Sequence, residues 1–314
     1  MIGITSSSLK GHEGRGPVET LEAAQAAGFN AVMFANMPEL SADMAPETLR
    51  QVKAEADARG MGIGLGVGSF NPSKPERNKR LAELGGGDVT KGFSRAIEGA
   101  RVMGANTLFF VIGMIEDRTD PALPWPGQLA SVTSALQGLS AQARDAGLQL
   151  LLKTHEELTT TEALRIVEAV GPEVLGISHD PVNVYCRIED PVMGTERLAP
   201  HIKQIHLEDA IVTFDGDQMR RYLAPMGQGD VDWKAILKLC GDVPLWLEFH
   251  RGQFAMPVFD QAWLAAQPDL TVDEYRAVLA PAFQRFKAGA TPVDQVDVFA
   301  RTPAAMEWVA AMGL

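Results

Sequence analysis

Little in this 314-residue chain invites cross-linking, membrane insertion or nucleic-acid binding. It has two cysteines, Cys186 and Cys240, too few for a disulfide framework, and a reducing cytoplasm is the expected setting. No stretch approaches the ~18 uncharged apolar residues of a membrane span, and the opening MIGITSSSLKGHEGRG is too weakly apolar for a signal peptide. Cationic residues are scarce: 28 Lys and Arg stand against 40 Asp and Glu, a formal charge of −12, and no basic block interrupts the scatter. Such a chain lacks the surface that a phosphate backbone requires. A Walker segment and a serine-nucleophile elbow are missing. GIGLGVG at 62–68 does not match GxGxxG and lies inside a strand candidate, so its glycines read as close packing or substrate access.

What is present is ample apolar content, 46% hydrophobic residues of which few are aromatic. The length suits one α/β barrel, although two modest domains also fit it. Eight short runs rich in Ile, Val, Leu and Phe recur along the chain: MIGIT, then segments 30–35, 62–70, 105–113, 148–154, 173–180, 201–209 and 242–250. Between them lie longer stretches with helical spacing. One buries Val18, Leu21 and Ala24 and stops at Gly28; another stops at Gly60; a third opens on a Thr159–Glu162 capping box. Trp233, Ile236, Leu237 and Cys240 share one helical face and read as core. Buried strands alternating with helices predict a (β/α)8 TIM barrel over residues 1–265. Residues 266–314 are expected to form a C-terminal helical extension packed on it, two helices separated near AGATPVDQ.

The chemistry lies at the carboxyl ends of the later strands. Asp180 closes VLGISHD, His206 closes IKQIH and Glu248 closes VPLWLE. Side chains there face the catalytic mouth of a barrel, so two carboxylates and an imidazole can meet on one divalent ion. Mn²⁺ or Mg²⁺ suits such an oxygen-rich set, and Zn²⁺ or Co²⁺ also accepts it. Asp209 can orient the imidazole or a bound water. His179 alternates to the other side of its strand and reads as a packed residue. The segment PVNVYCRIEDP is expected to form a loop over the mouth, with Asn183 meeting a substrate hydroxyl.

Three pieces, SHDPVN at 178–183, HIKQIHLED at 201–209 and LWLEFH at 245–250, together resemble the xylose-isomerase-like barrel family of sugar and sugar-phosphate isomerases and epimerases. The resemblance covers about residues 2–260. It implies a divalent metal at the barrel mouth, with Asp180, His206 and Glu248 as three of four ligands. The fourth family position is ordinarily a glutamate followed closely by histidine. Here it reads Lys153-Thr154-His155-Glu156, and a cationic lysine cannot ligate in the glutamate's manner. Glu156 reaching inward from the loop, or water, then completes the coordination.

The expected function is a metal-dependent isomerase or epimerase acting on a small sugar or keto-sugar derivative through a metal-stabilised enediolate. Glu248 is its plain acid/base, and Lys153, His155 and Glu156 are further catalytic candidates. Lys153, His155, Asn183, His250 and Arg251 are candidates for binding substrate. The alternative is a decarboxylase or lyase for a keto-sugar acid, whose carboxylate Lys153 and Arg251 would read. A catalytically silent sugar-binding barrel is the non-enzymatic reading. A zinc nuclease of the endonuclease-IV type is disfavoured, because six histidines are too few for its cluster. The partners expected are a small sugar or sugar acid, with neither nucleic acid nor membrane; the extension is compatible with a homo-oligomer.

Overall fold

The computed structural model describes residues 1–289 and 297–314. Seven parallel strands come first: β1 (Ile2–Thr5), β2 (Ala31–Phe34), β3 (Gly62–Ser69), β4 (Thr107–Val111), β5 (Gln149–Lys153), β6 (Leu175–His179) and β7 (Ile202–Leu207). A hairpin, β8 (Asp209–Asp215) with β9 (Gln218–Ala224), precedes the last barrel strand β10 (Leu245–Leu247), and β11 (Phe254–Met256) follows. The strands close in the order β1-β10-β7-β6-β5-β4-β3-β2. Each expected run thus supplies one stave, because strands buried on both faces keep a continuous apolar signature.

Helices return the chain between staves for local reasons. Pro17–Ala26 begins with proline at a position whose missing amide costs nothing, and Gly28 beyond it takes φ +90°. Thr160–Val170 carries the expected capping box: Glu162 N donates to Thr159 Oγ1 and Thr159 N to a Glu162 carboxylate oxygen. Trp233–Cys240 buries Trp233 and Ile236 against the core, as its spacing predicts.

Apolar packing forms two clusters. The larger fills the shell between staves and helices. The smaller, Ala31, Met33, Phe109, Leu151 and Trp246, fills the barrel lumen. The glycines of β3 exist for these rings: a Cβ on Gly64 would stand 2.9 Å from the Trp246 ring, and one on Gly66 would overlap Phe109 and lie 2.7 Å from the Ala35 carbonyl oxygen. Close packing, not nucleotide binding, accounts for GIGLGVG.

The polar segment FDGDQMRRYLAPMGQGD differs from a plain loop. It completes the β8–β9 hairpin, and β11 adds antiparallel to β9 as a three-stranded sheet. Beyond it, helices span Gln261–Ala265, Val272–Lys287 and Arg301–Met312; the expected break near AGATPVDQ lies largely outside the described residues. Among the described residues no helix is long and apolar enough to cross a membrane.

If Gly66 is reserved for the Phe109 ring, Gly66→Ala overpacks the lumen and lowers unfolding free energy by about 1–3 kcal/mol. Urea denaturation measures this, and an unchanged midpoint and slope would contradict the tight lumen.

Candidate active site at the barrel mouth

Alternation along the staves sorts the inward-facing residues into layers. Leu151 and Lys153 share one face of β5, Gln204 and His206 one face of β7, and Trp246 is followed two residues on by Glu248. Registry aligns Lys153 with Ser178 and Trp246 with His206. The lower layer ends in a hydrogen-bonded chain. Trp246 Nε1 donates to Gln204 Oε1 (3.2 Å), Gln204 Nε2 donates to Ser178 Oγ (2.8 Å), and that hydroxyl meets His206 Nε2 at 2.7 Å. This fixes the imidazole from below and turns Nδ1 toward the mouth.

Asp180, His206 and Glu248 come together as expected, with one donor atom from each within 4.8 Å of the others. Lys153 lies among them. Its Nζ is 2.7 Å from Glu248 Oε2 and 3.0 Å from Asp180 Oδ2, and the residue is only 2% exposed. His206 Nδ1 approaches the same Glu248 oxygen at 2.5 Å without the alignment of a good hydrogen bond. Burial alone would raise the two carboxylates and lower the lysine. The mutual charges prevail: Asp180 and Glu248 are held below the usual carboxylate range and Lys153 above the usual amine range. Glu248 is the acid most open to the mouth, its side chain 18% exposed.

The donor set fits a divalent ion in one respect and resists it in another. Asp180 Oδ1 is buried without a hydrogen-bond partner among the described residues, and His206 Nδ1 and His250 Nε2 face carboxylate oxygens without making an aligned hydrogen bond, so the cluster has lone pairs left for a further group. Against this, an ammonium already bridges the two carboxylates, and Glu156 does not join them. Glu156 instead lies 2.7 Å from His155 Nε2, while Glu157 lies 2.6 Å from His155 Nδ1 and accepts from Gly113 N. Burial opposes charge on His155, yet acids at both ring nitrogens push its pKa up to about 10 and pull Glu156 down to about 2.

Other expected residues take different places. Asn183 is fully buried: its amide donates to Asp180 Oδ2 (2.9 Å) and its oxygen accepts from Arg221 (2.8 Å), so it orients Asp180. Arg251 is exposed, with its guanidinium 5.6 Å from the Phe299 ring centre. Asp209 accepts backbone amides of Ala210, Gly227, Gly229 and Val231 and pins the loop after the hairpin rather than the imidazole. His179 is a packed residue bonded to Thr154 and Thr195.

Sequence reasoning missed four side chains. Glu208, two residues past His206, lies 2.6 Å from His250 Nδ1, which leaves His250 Nε2 3.4 Å from Asp180 Oδ2. Arg301, at the start of the last helix and 2% exposed, pairs with Glu208 and donates to the His250 carbonyl (2.7 Å). Arg221, fully buried on β9, braces Asn183 and the Gly252 carbonyl. Arg187 is 3% exposed and donates through Nε to the Cys186 carbonyl, its guanidinium 5.2 Å from the Trp263 ring centre. It makes no ion pair among the described residues, and burial lowers its pKa to about 10. Only the spacing of Glu208 from His206 and the loop position of Arg187 gave any advance signal. A separate recess of about 790 Å³, lined by Ser6, Phe34, Glu39 and Arg80 among others, contains none of the cluster.

A family model described as a xylose isomerase-like TIM barrel matches residues 21–248. The uncharacterized protein YihM of Escherichia coli (strain K12) is 30% identical over 117 residues, so the match spans about a third of either protein (36% of each). Among solved structures, D-psicose 3-epimerase from Clostridium cellulolyticum H10, determined with D-tagatose, superposes with a TM-score of 0.66 at 13% identity, covering 99% of this chain and 98% of that one. A xylose isomerase domain protein from Planctomyces limnophilus gives 0.56 at 19% identity over 89% and 97%. At these identities the likeness is one of fold.

Arg301→Met leaves the Glu208 carboxylate buried without its guanidinium, and is expected to cost about 3–5 kcal/mol of stability. Chemical denaturation of the full chain checks it; a loss below about 1 kcal/mol, the range of an exposed pair, would show that the last helix is not locked into the mouth.

Proposed function

The chain belongs to the xylose isomerase-like TIM barrel family, and from that premise we propose that it is a sugar isomerase or epimerase working through an enediolate. The observation that carries this reading is the contact between Glu248 and Lys153: a partly open carboxylate, held ionised, beside an ammonium at the barrel mouth. The first can take a proton from the carbon next to a carbonyl. The second can stabilise the oxygen that becomes negative as the proton leaves. Ammonium has three donors, and Asp180 and Glu248 use two, which leaves one for a substrate oxygen.

One base suffices to carry a proton between adjacent carbons on a single face, so this arrangement favours aldose–ketose isomerisation. Epimerisation needs a second proton carrier across the sugar, and His250, turned by Glu208 so that Nε2 faces Asp180, is the candidate. Only with Lys153 displaced from the two acids would Asp180, His206 and Glu248 hold a divalent ion, Mn²⁺ or Mg²⁺, which would then polarise the carbonyl. The fold likeness to a D-psicose 3-epimerase supports a small ketose as substrate.

A second reading, cleavage of a keto-sugar acid, draws support from Arg187. Lys153 is already committed to two acids and Arg251 is exposed, so neither is a ready carboxylate reader. A buried guanidinium without an acidic partner is costly unless an anion meets it. Arg187 lies in the segment that follows Asp180, and that position is the ground for giving it a substrate carboxylate to read.

Incubation with ketoses and aldoses in deuterated water should place solvent deuterium on carbon, read by NMR, and no incorporation across the panel would sink the enediolate. Glu248→Gln should lower kcat by about 10²–10⁴-fold with a much smaller change in KM; equal losses in both would contradict a role in proton transfer. Arg187→Gln should raise KM for sugar acids about 10–100-fold, the worth of a charge-assisted hydrogen bond, while sparing neutral sugars. Carbon dioxide release from a keto acid would shift the assignment to cleavage.

A further inference from the structure

The two carboxylates that would grip a divalent ion already share a cation of the chain's own. Lys153 rises from the end of β5 and sets Nζ within hydrogen-bond range of both Asp180 Oδ2 and Glu248 Oε2. A metal ion and this ammonium would compete for the same oxygen lone pairs, and two cations this close repel strongly in a buried site. At 2% exposure the lysine has little solvent-facing room to retreat into.

Charge counting points the same way. Were residue 153 a carboxylate, the site would hold three acids, and a divalent ion would leave one net negative charge. Two acids and an ammonium leave the same single negative charge. Exchanging carboxylate for lysine therefore conserves the electrostatics of the mouth only if the ion leaves with the carboxylate.

We propose that the ammonium of Lys153 is the resident cation of this site, standing where a divalent ion would stand, and that the mouth is electrostatically complete without metal. Asp180 Oδ1, buried without a partner, and His250 Nε2, which makes no aligned hydrogen bond, are then left for sugar hydroxyls, which both donate and accept. A metal ion accepts lone pairs only. The inference deepens the isomerase reading by naming its cation, yet it is read from metal content and stability, so either can fail while the other stands.

The test uses the purified 314-residue chain, elemental analysis and scanning calorimetry with EDTA and then with excess Mn²⁺, Mg²⁺ or Zn²⁺. The wild-type protein should carry well under one equivalent of metal, and its Tm should not respond to chelator or ion. Lys153→Glu should acquire about one equivalent of metal and a Tm that rises by several degrees on adding Mn²⁺, because a ligand bound only by the folded state stabilises it. Lys153→Met, which removes the charge without adding a ligand, guards against a glutamate variant that fails to fold; it should show a smaller Mn²⁺-dependent rise. Wild-type protein holding one equivalent of metal and losing Tm in EDTA would overturn the proposal. So would folded Lys153→Glu and Lys153→Met proteins that both ignore Mn²⁺, since the ammonium would then not be occupying an ion's place.

Discussion

Lys153 reaching across the barrel mouth to Asp180 and Glu248 is the contact around which the other polar groups of this face are arranged. Taking three ions out of water is expensive, and it succeeds only where every remaining lone pair and proton is nearly accounted for. The surroundings supply most of that, and leave Asp180 Oδ1 open. Asn183 steadies Asp180, Arg221 steadies Asn183, Ser178 and Gln204 hold His206 from beneath, and Glu208 with Arg301 aims His250. These supports come from different staves, the hairpin and the last helix, so the site is the meeting point of segments far apart in the chain.

The barrel was readable because its staves are buried on both faces, which leaves uninterrupted apolar runs such as LLL at 150–152 and VLGI at 174–177. The three strand-end donors were readable for the same reason: an ionisable residue terminating an apolar run has few uses other than the mouth. The β8–β9 hairpin escaped because Arg221 takes an inward position between Met219 and Leu223, and a buried arginine disguises the alternation of a strand. Of the two candidates for the fourth position, Glu156 and water, Glu156 is held away by His155, an imidazolium clasped by the acids that follow it. Asn183, expected to meet a substrate hydroxyl from the loop, spends one amide hydrogen on Asp180 and accepts from Arg221. None of this follows from spacing, since it depends on His155 taking both following acids and on Arg221, far along the chain, reaching Asn183.

The lumen and the mouth are also one mechanical unit. Trp246 fills the space left by Gly3 and Gly64 and, through its indole nitrogen, begins the hydrogen-bonded chain that ends on His206. Packing below thus sets the orientation of the imidazole above. A change in the glycines of β1 or β3 would be felt at the site without touching it, because close-packed interiors pass displacement on rather than absorb it.

Arg301 lends the molecule an order of assembly. During synthesis the last barrel stave emerges well before the helix that begins at Arg301, and until that helix docks, Glu208 has no guanidinium and His250 no fixed aim. A nascent barrel can therefore close around its apolar lumen while its reactive rim is still unfinished, and maturation of that rim waits for a helix made more than fifty residues later.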